Sequence, residues 1–193
     1  MVQLPSGWIL ITENIKTLKM NSTLLAEGFF DHDVLQVARE LLGMSLCVKS
    51  TNGQITRSTI CETEAYDGQN DLACHASKGK TKRTSVMFEK GGVWYIYLCY
   101  GMHWMLNLVT GPEDYPAAVL LRGVVGLSGP GRLTKGLRIN KSFNGLPVSE
   151  ASSLWIEKSL FTPKNIYQGP RIGVNYAGPV WSTKPYRFWF SSE

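Results

Sequence analysis

The sequence predicts an α+β protein, in which a single domain holds a largely antiparallel sheet with helices around it. With 193 residues, 44% of them hydrophobic, the chain can fill one sizeable core and is too short for two. Apolar residues recur at helical spacing near the start, whereas later segments are rich in β-branched and aromatic residues and are joined by short turns. Short turns favour antiparallel strand pairs. We assign residues 1–20 to an N-terminal extension and residues 21–193 to the domain.

The first elements are a helix and a hairpin. The helix follows Asp31 and ends at Gly43, with apolar residues at positions 34, 35, 37, 38, 41 and 42. Two apolar segments then flank Asn52-Gly53, which predicts a hairpin whose second strand ends at Glu64. A two-residue turn would place Cys47 opposite Ser58 and Cys61 opposite Met44, so these two cysteines should not form a disulfide.

Later elements are shorter. Residues 67–92 show little periodicity and predict a long loop, which in a compact domain is usually functional. A basic helix should begin at Gly129-Pro130-Gly131. Strands are predicted at 93–100, 103–109, 117–122, 153–157, 171–176 and 186–190.

Composition narrows the class of protein. Lys and Arg outnumber Asp and Glu by 20 to 15, which favours a polyanionic partner. No apolar run is long enough to span a membrane and the start does not resemble a secretion signal, so we expect an intracellular protein that does not bind membranes. The cysteines and histidines are scattered, so we expect free thiols, no metal site and no cofactor.

Two carboxylates, Glu62 and Glu64, form the densest polar signal. Residues two apart on a strand face the same side, about 6.5 to 7 Å from each other. Such a pair can divide acid and base roles, because burial raises the pKa of one carboxyl group while its wetter neighbour stays ionised. From their spacing alone, two solvated strand carboxylates remain the simpler interpretation.

Aromatic residues form a second cluster between positions 94 and 104. Alternation along a strand would place Tyr95 and Tyr97 on one face, Trp94 and Ile96 on the other, and Tyr100 at the turn. One aromatic face is enough for a core. The second face and the exposed tip are suited to stacking against nucleobases or insertion between them.

These motifs resemble the alkyladenine (3-methyladenine) DNA glycosylase family over residues 24–190. The matching segments, in order, are Glu62-Thr63-Glu64-Ala65-Tyr66, His75, Val86-Met87-Phe88, Tyr95-Ile96-Tyr97-Leu98-Cys99-Tyr100-Gly101-Met102, Asn107, Leu120-Leu121-Arg122, Gly129-Pro130-Gly131-Arg132-Leu133, Arg171-Ile172-Gly173-Val174 and Lys184-Pro185. The resemblance implies a curved antiparallel sheet with a protruding aromatic hairpin. It also implies a monofunctional enzyme that flips alkylated or deaminated purines out of duplex DNA and hydrolyses the N-glycosidic bond in base excision repair.

The resemblance also implies catalytic roles. Glu64 would be the general base that activates a water for attack on C1′, and Arg122 and the carbonyl of Ile172 would help to hold that water. Because no lysine matches a family nucleophile, we expect hydrolysis without a Schiff base.

Further roles concern the DNA. Tyr66, His75 and Tyr97 would stack on the flipped purine, and Asn107 would crowd the 2-amino group of normal guanine. Tyr100 would fill the gap left in the duplex. The predicted backbone contacts are Lys82, Arg83 and Arg132. The expected partner is duplex DNA with damaged purines, bound by a monomer.

Departures from the family pattern concern the loops. Lys82-Arg83-Thr84 stands where Pro-Arg-Asn is common, Cys74 replaces Ala or Ser, and about two extra residues lie near 111–116. These changes bear on substrate range more than on reaction type.

Two other classes stay open. One is a lesion-binding module without catalysis, against which the presence of Glu64 and Arg122 argues. The other is a glycoside hydrolase that uses Glu62 and Glu64, which the basic charge and the hairpin tip disfavour.

Overall fold

The computed structural model describes Leu25 and residues 27–191, and residues 1–20 lie outside this part. The strands are β1 (Ser45–Lys49), β2 (Ile55–Asp67), β3 (Trp94–Cys99), β4 (His103–Thr110), β5 (Ala117–Val124), β6 (Leu127–Ser128), β7 (Leu154–Glu157), β8 (Tyr167–Gly169) and β9 (Arg187–Trp189). The helices are α1 (Val34–Glu40), α2 (Pro130–Gly136) and α3 (Gly178–Thr183). Short 3-10 helices lie at Glu27–Asp31, His75–Lys78, Ser85–Phe88, Lys141–Phe143, Glu150–Ser152 and Asn175–Ala177.

The strands form one sheet in the order β3-β4-β5-β2-β1-β7, while β6 pairs with β5, and β9 pairs with both β2 and β8. Every pairing between these strands is antiparallel. The predicted α+β class with an antiparallel sheet is therefore confirmed. β2 is the longest strand, and it is paired along its length by β1, β5 and β9.

The first helix lies where it was predicted but ends at Glu40, before the predicted end at Gly43, and it fixes one face of β2. Asp33 caps α1, because its carboxylate accepts hydrogen bonds from the backbone N–H groups of residues 35 and 36. The buried side of α1 packs on the sheet, where the Thr63 hydroxyl donates to the carbonyl of Ala38 (2.7 Å). Since Thr63 points towards the helix, Glu62 and Glu64 point to the other side of the sheet.

The turn between β1 and β2 differs from its prediction by one residue. Cys47 lies opposite Arg57, not Ser58, and Lys49 opposite Ile55. The connection is longer than two residues because Ser50 and Asn52 make hydrogen bonds within it. The prediction that Cys47 and Cys61 do not bridge is confirmed, since all four cysteines are free.

The third and fourth strands separate two clusters of buried side chains. Trp94 and Ile96 lie in the main core with α1 and α2, whereas Tyr95 and Tyr97 pack in a second cluster with Met87. The predicted alternation of faces is thus confirmed. The second cluster includes side chains from the 67–92 loop, which is ordered by two of the 3-10 helices.

Two segments differ from their predictions. β2 continues past Glu64 to Asp67, so Glu64 lies inside the strand and pairs with Leu120 on one side and Arg187 on the other. Residues 171–176 were expected as a strand and instead form bends followed by part of a 3-10 helix. The chain turns at Gly173, whose φ of 79° is strained for other residues.

The other predicted elements were found close to their positions. Helix α2 begins at Pro130, and strands occur at 154–157 and 187–189 as expected. β8 and α3 lacked a recognisable signal, because both are short and rich in Gly, Pro or polar residues.

Candidate active site

The site is built around Glu64, whose side chain is completely buried within β2. Two hydrogen bonds and one ion pair hold its carboxylate. The backbone N–H of Ile172 donates to Oε1 (2.7 Å), the Tyr66 hydroxyl donates to Oε2 (2.8 Å), and Nη1 of Arg122 lies 3.4 Å from Oε1. Burial raises the pKa of Glu64 above its ordinary value, while the charge of Arg122 and the two hydrogen bonds oppose that rise. The group is therefore a buried carboxylate that can be ionised but holds a proton more readily than an exposed one.

Arg122 joins the two carboxylates identified in the sequence. Its Nε donates to Oε1 of Glu62 (3.1 Å), and its Nη1 faces Glu64. Arg187 adds a second guanidinium to Glu62 at 3.0 Å. Glu62 and Glu64 thus share one side of β2, as predicted. The interpretation as a solvated pair is wrong, because only 15% of the Glu62 side chain and none of the Glu64 side chain is exposed.

Because Arg122 contacts one oxygen of each glutamate, the two carboxylates lie on the same guanidinium and do not flank an open cleft. A glycoside hydrolase places its two carboxyl groups on opposite sides of the bond that it cleaves. The geometry therefore disfavours that alternative.

A second buried ion pair supports the segment that contacts Glu64. The side chains of Asp71 and Arg171 are both fully buried, and Nη2 of Arg171 donates to Oδ1 of Asp71 (2.9 Å). Nη1 of Arg171 also donates to the carbonyl of Ala65 (2.9 Å), and its guanidinium lies 4.8 Å from the ring centroid of Tyr66. Arg171 thereby fixes the chain immediately before Ile172.

Next to Glu64 lies a cavity with an empty volume of about 320 Å³, counted to its open mouth. We call it the aromatic cavity; it is lined by Tyr66, Ala73, His75, Met87, Tyr95, Tyr97, Asn107, Ala118 and Tyr176. All four residues predicted to bind the substrate, Tyr66, His75, Tyr97 and Asn107, are in this set.

His75 is a neutral imidazole in this cavity. Its ring lies 4.3 Å from that of Tyr97, and Nδ1 is 3.1 Å from the Tyr95 hydroxyl. Burial and the nearby charge of Arg83 lower the pKa of His75 to about 4, while burial raises the pKa of Tyr95 to about 12. Both groups are therefore uncharged near neutral pH.

Asn107 is held rigidly at the base of the aromatic cavity. Its Nδ2 donates to the carbonyls of Tyr95 (3.0 Å) and Met105 (3.2 Å), and the residue is 3% exposed. Both amide protons are thereby used by the backbone. A side chain fixed in this way is suited to a steric role.

The tip of the hairpin carries the predicted intercalating residue. Tyr100 is 88% exposed and Met102 is 71% exposed, and Gly101 between them has a φ of 69°. Tyr100 itself has a φ of 50°, which is uncommon for a residue with a side chain. The tyrosine is thus presented to solvent and takes no part in the core.

The predicted DNA-backbone residues occupy different surroundings. Lys82, Arg83 and Arg132 are all exposed. Arg83 differs from the other two because its guanidinium carbon lies 5.1 Å from the ring centroid of Tyr97, a wall of the aromatic cavity.

Sequence reasoning missed several parts of the site. Tyr176 lines the aromatic cavity and donates its hydroxyl to the carbonyl of Ala73 (2.9 Å), although its segment was expected to be a strand. Arg171 belonged to a matched motif without a role, and Asp71 lay in a loop with no pattern. The Ile172 carbonyl was expected to hold a water, whereas its N–H is the group seen to contact Glu64.

The fold and the site together define the class of protein to which this chain belongs. It is an α+β protein whose antiparallel sheet carries a buried carboxylate beside an aromatic cavity, with an exposed tyrosine at the tip of a hairpin. In the part of the chain that the structure describes, no helix has the length and apolar character of a membrane span, and no three His, Cys, Asp or Glu residues are grouped as a metal site.

The chain matches the family model of methylpurine-DNA glycosylase (MPG) over residues 28–127 and 126–193. It belongs to this family. Three similar proteins are each named "putative 3-methyladenine DNA glycosylase". The protein from Myxococcus xanthus is 42% identical, covering 86% of this chain and 89% of its own. The protein from Methanocella arvoryzae is 41% identical, covering 86% of this chain and 92% of its own. The protein from Psychrobacter cryohalolentis is 39% identical, covering 81% of this chain and 87% of its own. These matches support a DNA glycosylase role for the chain.

Proposed function

We propose that the protein is a monofunctional DNA glycosylase that flips an alkylated or deaminated purine out of duplex DNA and hydrolyses its N-glycosidic bond. The observation that carries this proposal is the position of Glu64: a buried carboxylate, held by two hydrogen bonds and an ion pair, beside a cavity with aromatic walls. The cavity would receive the flipped purine, and the carboxylate would act at the sugar.

The hydrogen bonds of Glu64 indicate which oxygen acts as the base. Oε1 accepts the Ile172 N–H and is also the oxygen in the ion pair with Arg122, whereas Oε2 accepts only the Tyr66 hydroxyl. A carboxylate oxygen has two lone pairs, so Oε2 keeps one for a water. That water would attack C1′ and give its proton to Oε2, while the electron pair of the broken C1′–N bond leaves with the base.

Negative charge at Glu64 would also stabilise the transition state electrostatically. As the base departs, positive charge develops on the sugar, and a nearby carboxylate in a water-poor site stabilises it. Arg122 favours the ionised form of Glu64, and its charge is shared with Glu62, so it does not cancel that of Glu64 alone.

Hydrolysis fits the groups around Glu64 better than lyase chemistry. The groups in contact with its carboxylate are a backbone N–H, a phenol and a guanidinium, and none is an amine that could form a Schiff base.

Selection of the base would combine stacking with a steric filter. Tyr66, His75 and Tyr97 would stack on the flipped purine, and the fixed amide of Asn107 would crowd the 2-amino group of guanine. Tyr100 would fill the space that the base leaves, with Lys82 and Arg132 near the phosphates. All of these residues come from one chain, so we propose that a monomer acts, with residues 21–193 as one glycosylase domain.

The test is incubation with a duplex that carries a single hypoxanthine or methylated purine, followed by alkali. We expect base release and an alkali-labile site at the lesion only. Binding to the lesion without release would indicate a binding module, and neither binding nor release would contradict the proposal. An undamaged duplex of the same sequence is the control.

A further inference from the structure

Arg83 places a positive charge on a wall of the aromatic cavity. Its guanidinium carbon lies 5.1 Å from the ring centroid of Tyr97, and its Nη2 donates to the carbonyl of Leu98 (3.4 Å). These contacts hold an exposed side chain against β3, where Tyr97 also meets the ring of His75 (4.3 Å). The charge therefore lies close to the surface on which a purine would stack.

A carboxylate neutralises the charge of Arg171, which lies on Tyr66, but in the part of the chain that the structure describes none neutralises the charge of Arg83. Arg171 lies 4.8 Å from the ring centroid of Tyr66, but it is buried against Asp71, whose carboxylate balances it. Among the described residues, no carboxylate lies within 4.0 Å of the Arg83 guanidinium. Arg83 thus adds to the Tyr97 wall a positive charge that no contacting carboxylate of the described chain balances.

Damaged purines differ in charge. Methylation of a ring nitrogen, as in 7-methylguanine, makes the base a cation, whereas deamination of adenine gives uncharged hypoxanthine. Aromatic faces attract cations, so Tyr66 and Tyr97 alone would favour the methylated base. A guanidinium already on Tyr97 reduces that attraction and repels a second cation that approaches the same ring. Stacking of an uncharged ring is affected much less.

We propose that Arg83 is a specificity-determining residue that disfavours positively charged bases in the aromatic cavity, and so shifts the enzyme towards uncharged damaged purines. The proposal rests on the glycosylase function proposed above. It gives Arg83 a role different from the phosphate contact expected from the sequence, because a phosphate contact would affect both kinds of lesion equally.

The test compares two substrates and three variants under single-turnover conditions. The substrates are the same duplex with one 7-methylguanine or one hypoxanthine, and the variants are Arg83→Gln, Arg83→Lys and Lys82→Gln. Lys82 is the matched control, because it is the adjacent exposed cation and no contact with an aromatic ring is found for it among the described residues. The measured quantity is the excision rate for 7-methylguanine divided by that for hypoxanthine.

We expect Arg83→Gln to raise this ratio about tenfold, which corresponds to ~1.4 kcal/mol. Arg83→Lys keeps the charge and should leave the ratio within about threefold of the wild-type value. Lys82→Gln should lower both rates alike and leave the ratio unchanged. The intrinsic reactivity of each lesion cancels, because each variant is compared with the wild type on the same substrates.

Three results would overturn the inference. They are an unchanged or lower ratio in Arg83→Gln, an equal rise in Arg83→Lys, which would assign the effect to shape, and an equal rise in Lys82→Gln, which would assign it to net charge. Failure of the wild-type protein to excise either lesion is a different outcome, since it would contradict the proposed function and with it this inference.

Discussion

The backbone N–H of Ile172 donates a 2.7 Å hydrogen bond to Oε1 of Glu64, which is 108 residues earlier in the chain. This contact joins the loop after β8 to the interior of β2. Because a backbone donor cannot rotate away as a side chain can, it fixes the carboxylate in one orientation and leaves Oε2 to face Tyr66. The orientation of the proposed base thus depends on how the 171–172 segment is anchored.

That anchor predicts a large loss of stability for Asp71→Asn. Asp71 and Arg171 form a fully buried ion pair, and removal of one partner leaves a buried charge uncompensated. We expect a loss of roughly 3 to 5 kcal/mol in the free energy of unfolding, measured by urea denaturation. The matched control is Asp114→Asn, which breaks the exposed pair with Lys80 and should cost less than about 0.5 kcal/mol. Equal effects of the two variants would contradict the anchoring role.

His75 predicts a pH dependence of stability. Its pKa in the folded protein is about 4, below the ordinary value of about 6.5, because it is buried near Arg83. Because the unfolded chain binds this proton more readily than the folded protein, the contribution of neutral His75 to the free energy of unfolding is fully present above about pH 6.5 and is lost as the pH falls towards 4. His75→Gln removes this titration and should flatten the decline by about 2 to 3 kcal/mol between these pH values.

The measurement is urea denaturation of both proteins at several pH values. Glu64 contributes in the opposite direction, because its pKa is raised and protonation at low pH removes a buried charge. The difference between wild type and His75→Gln isolates the histidine. Parallel curves for the two proteins would show that His75 does not titrate in this range.

Tyr100→Ala should weaken action on paired lesions without destabilising the protein. Truncation of a large buried aromatic costs about 3 to 5 kcal/mol, but Tyr100 is 88% exposed, so little change in melting temperature is expected. Excision from a fully paired duplex should fall more than excision from mismatched or single-stranded DNA, where less unstacking has to be offset. Leu160→Ala, which removes a 96% exposed apolar side chain outside the hairpin, is the control and should change neither rate. Equal losses on all substrates would refute the wedge role.

Borohydride should trap no covalent protein–DNA adduct during turnover. The groups in contact with Glu64 include no amine, so no Schiff base with the sugar is expected there. A known bifunctional lyase treated in parallel would show that trapping works. An adduct with this protein would assign it to the bifunctional class instead.

The parts of the fold predicted from the sequence are those determined by local pattern. The 3.6-residue spacing of α1 and the alternation that separates Tyr95 from Trp94 depend only on neighbouring residues, and both were found as expected. The register of β1 and β2 was wrong by one residue, because it depends on hydrogen bonds of Ser50 and Asn52 inside the turn. Periodicity carries no information on such contacts.

Some residues of the candidate site were predicted from the sequence, and others were not. The four predicted cavity residues came from matched motifs, and the structure brings all four together. The pair of Asp71 and Arg171 was not predicted, since its partners are 100 residues apart and neither belongs to a periodic pattern. The N–H contact of Ile172 was also missed, because a backbone group leaves no mark on the residue type.

The measurement that tests the central claim most directly is lesion excision and lesion binding by Glu64→Gln. The variant keeps the size of the side chain but cannot take a proton from water, so excision should fall by at least ~100-fold while binding stays within a few-fold. Glu62→Gln is the matched control: it changes the other carboxylate on Arg122 and should cost less activity than Glu64→Gln. Excision by Glu64→Gln at the wild-type rate would contradict the account.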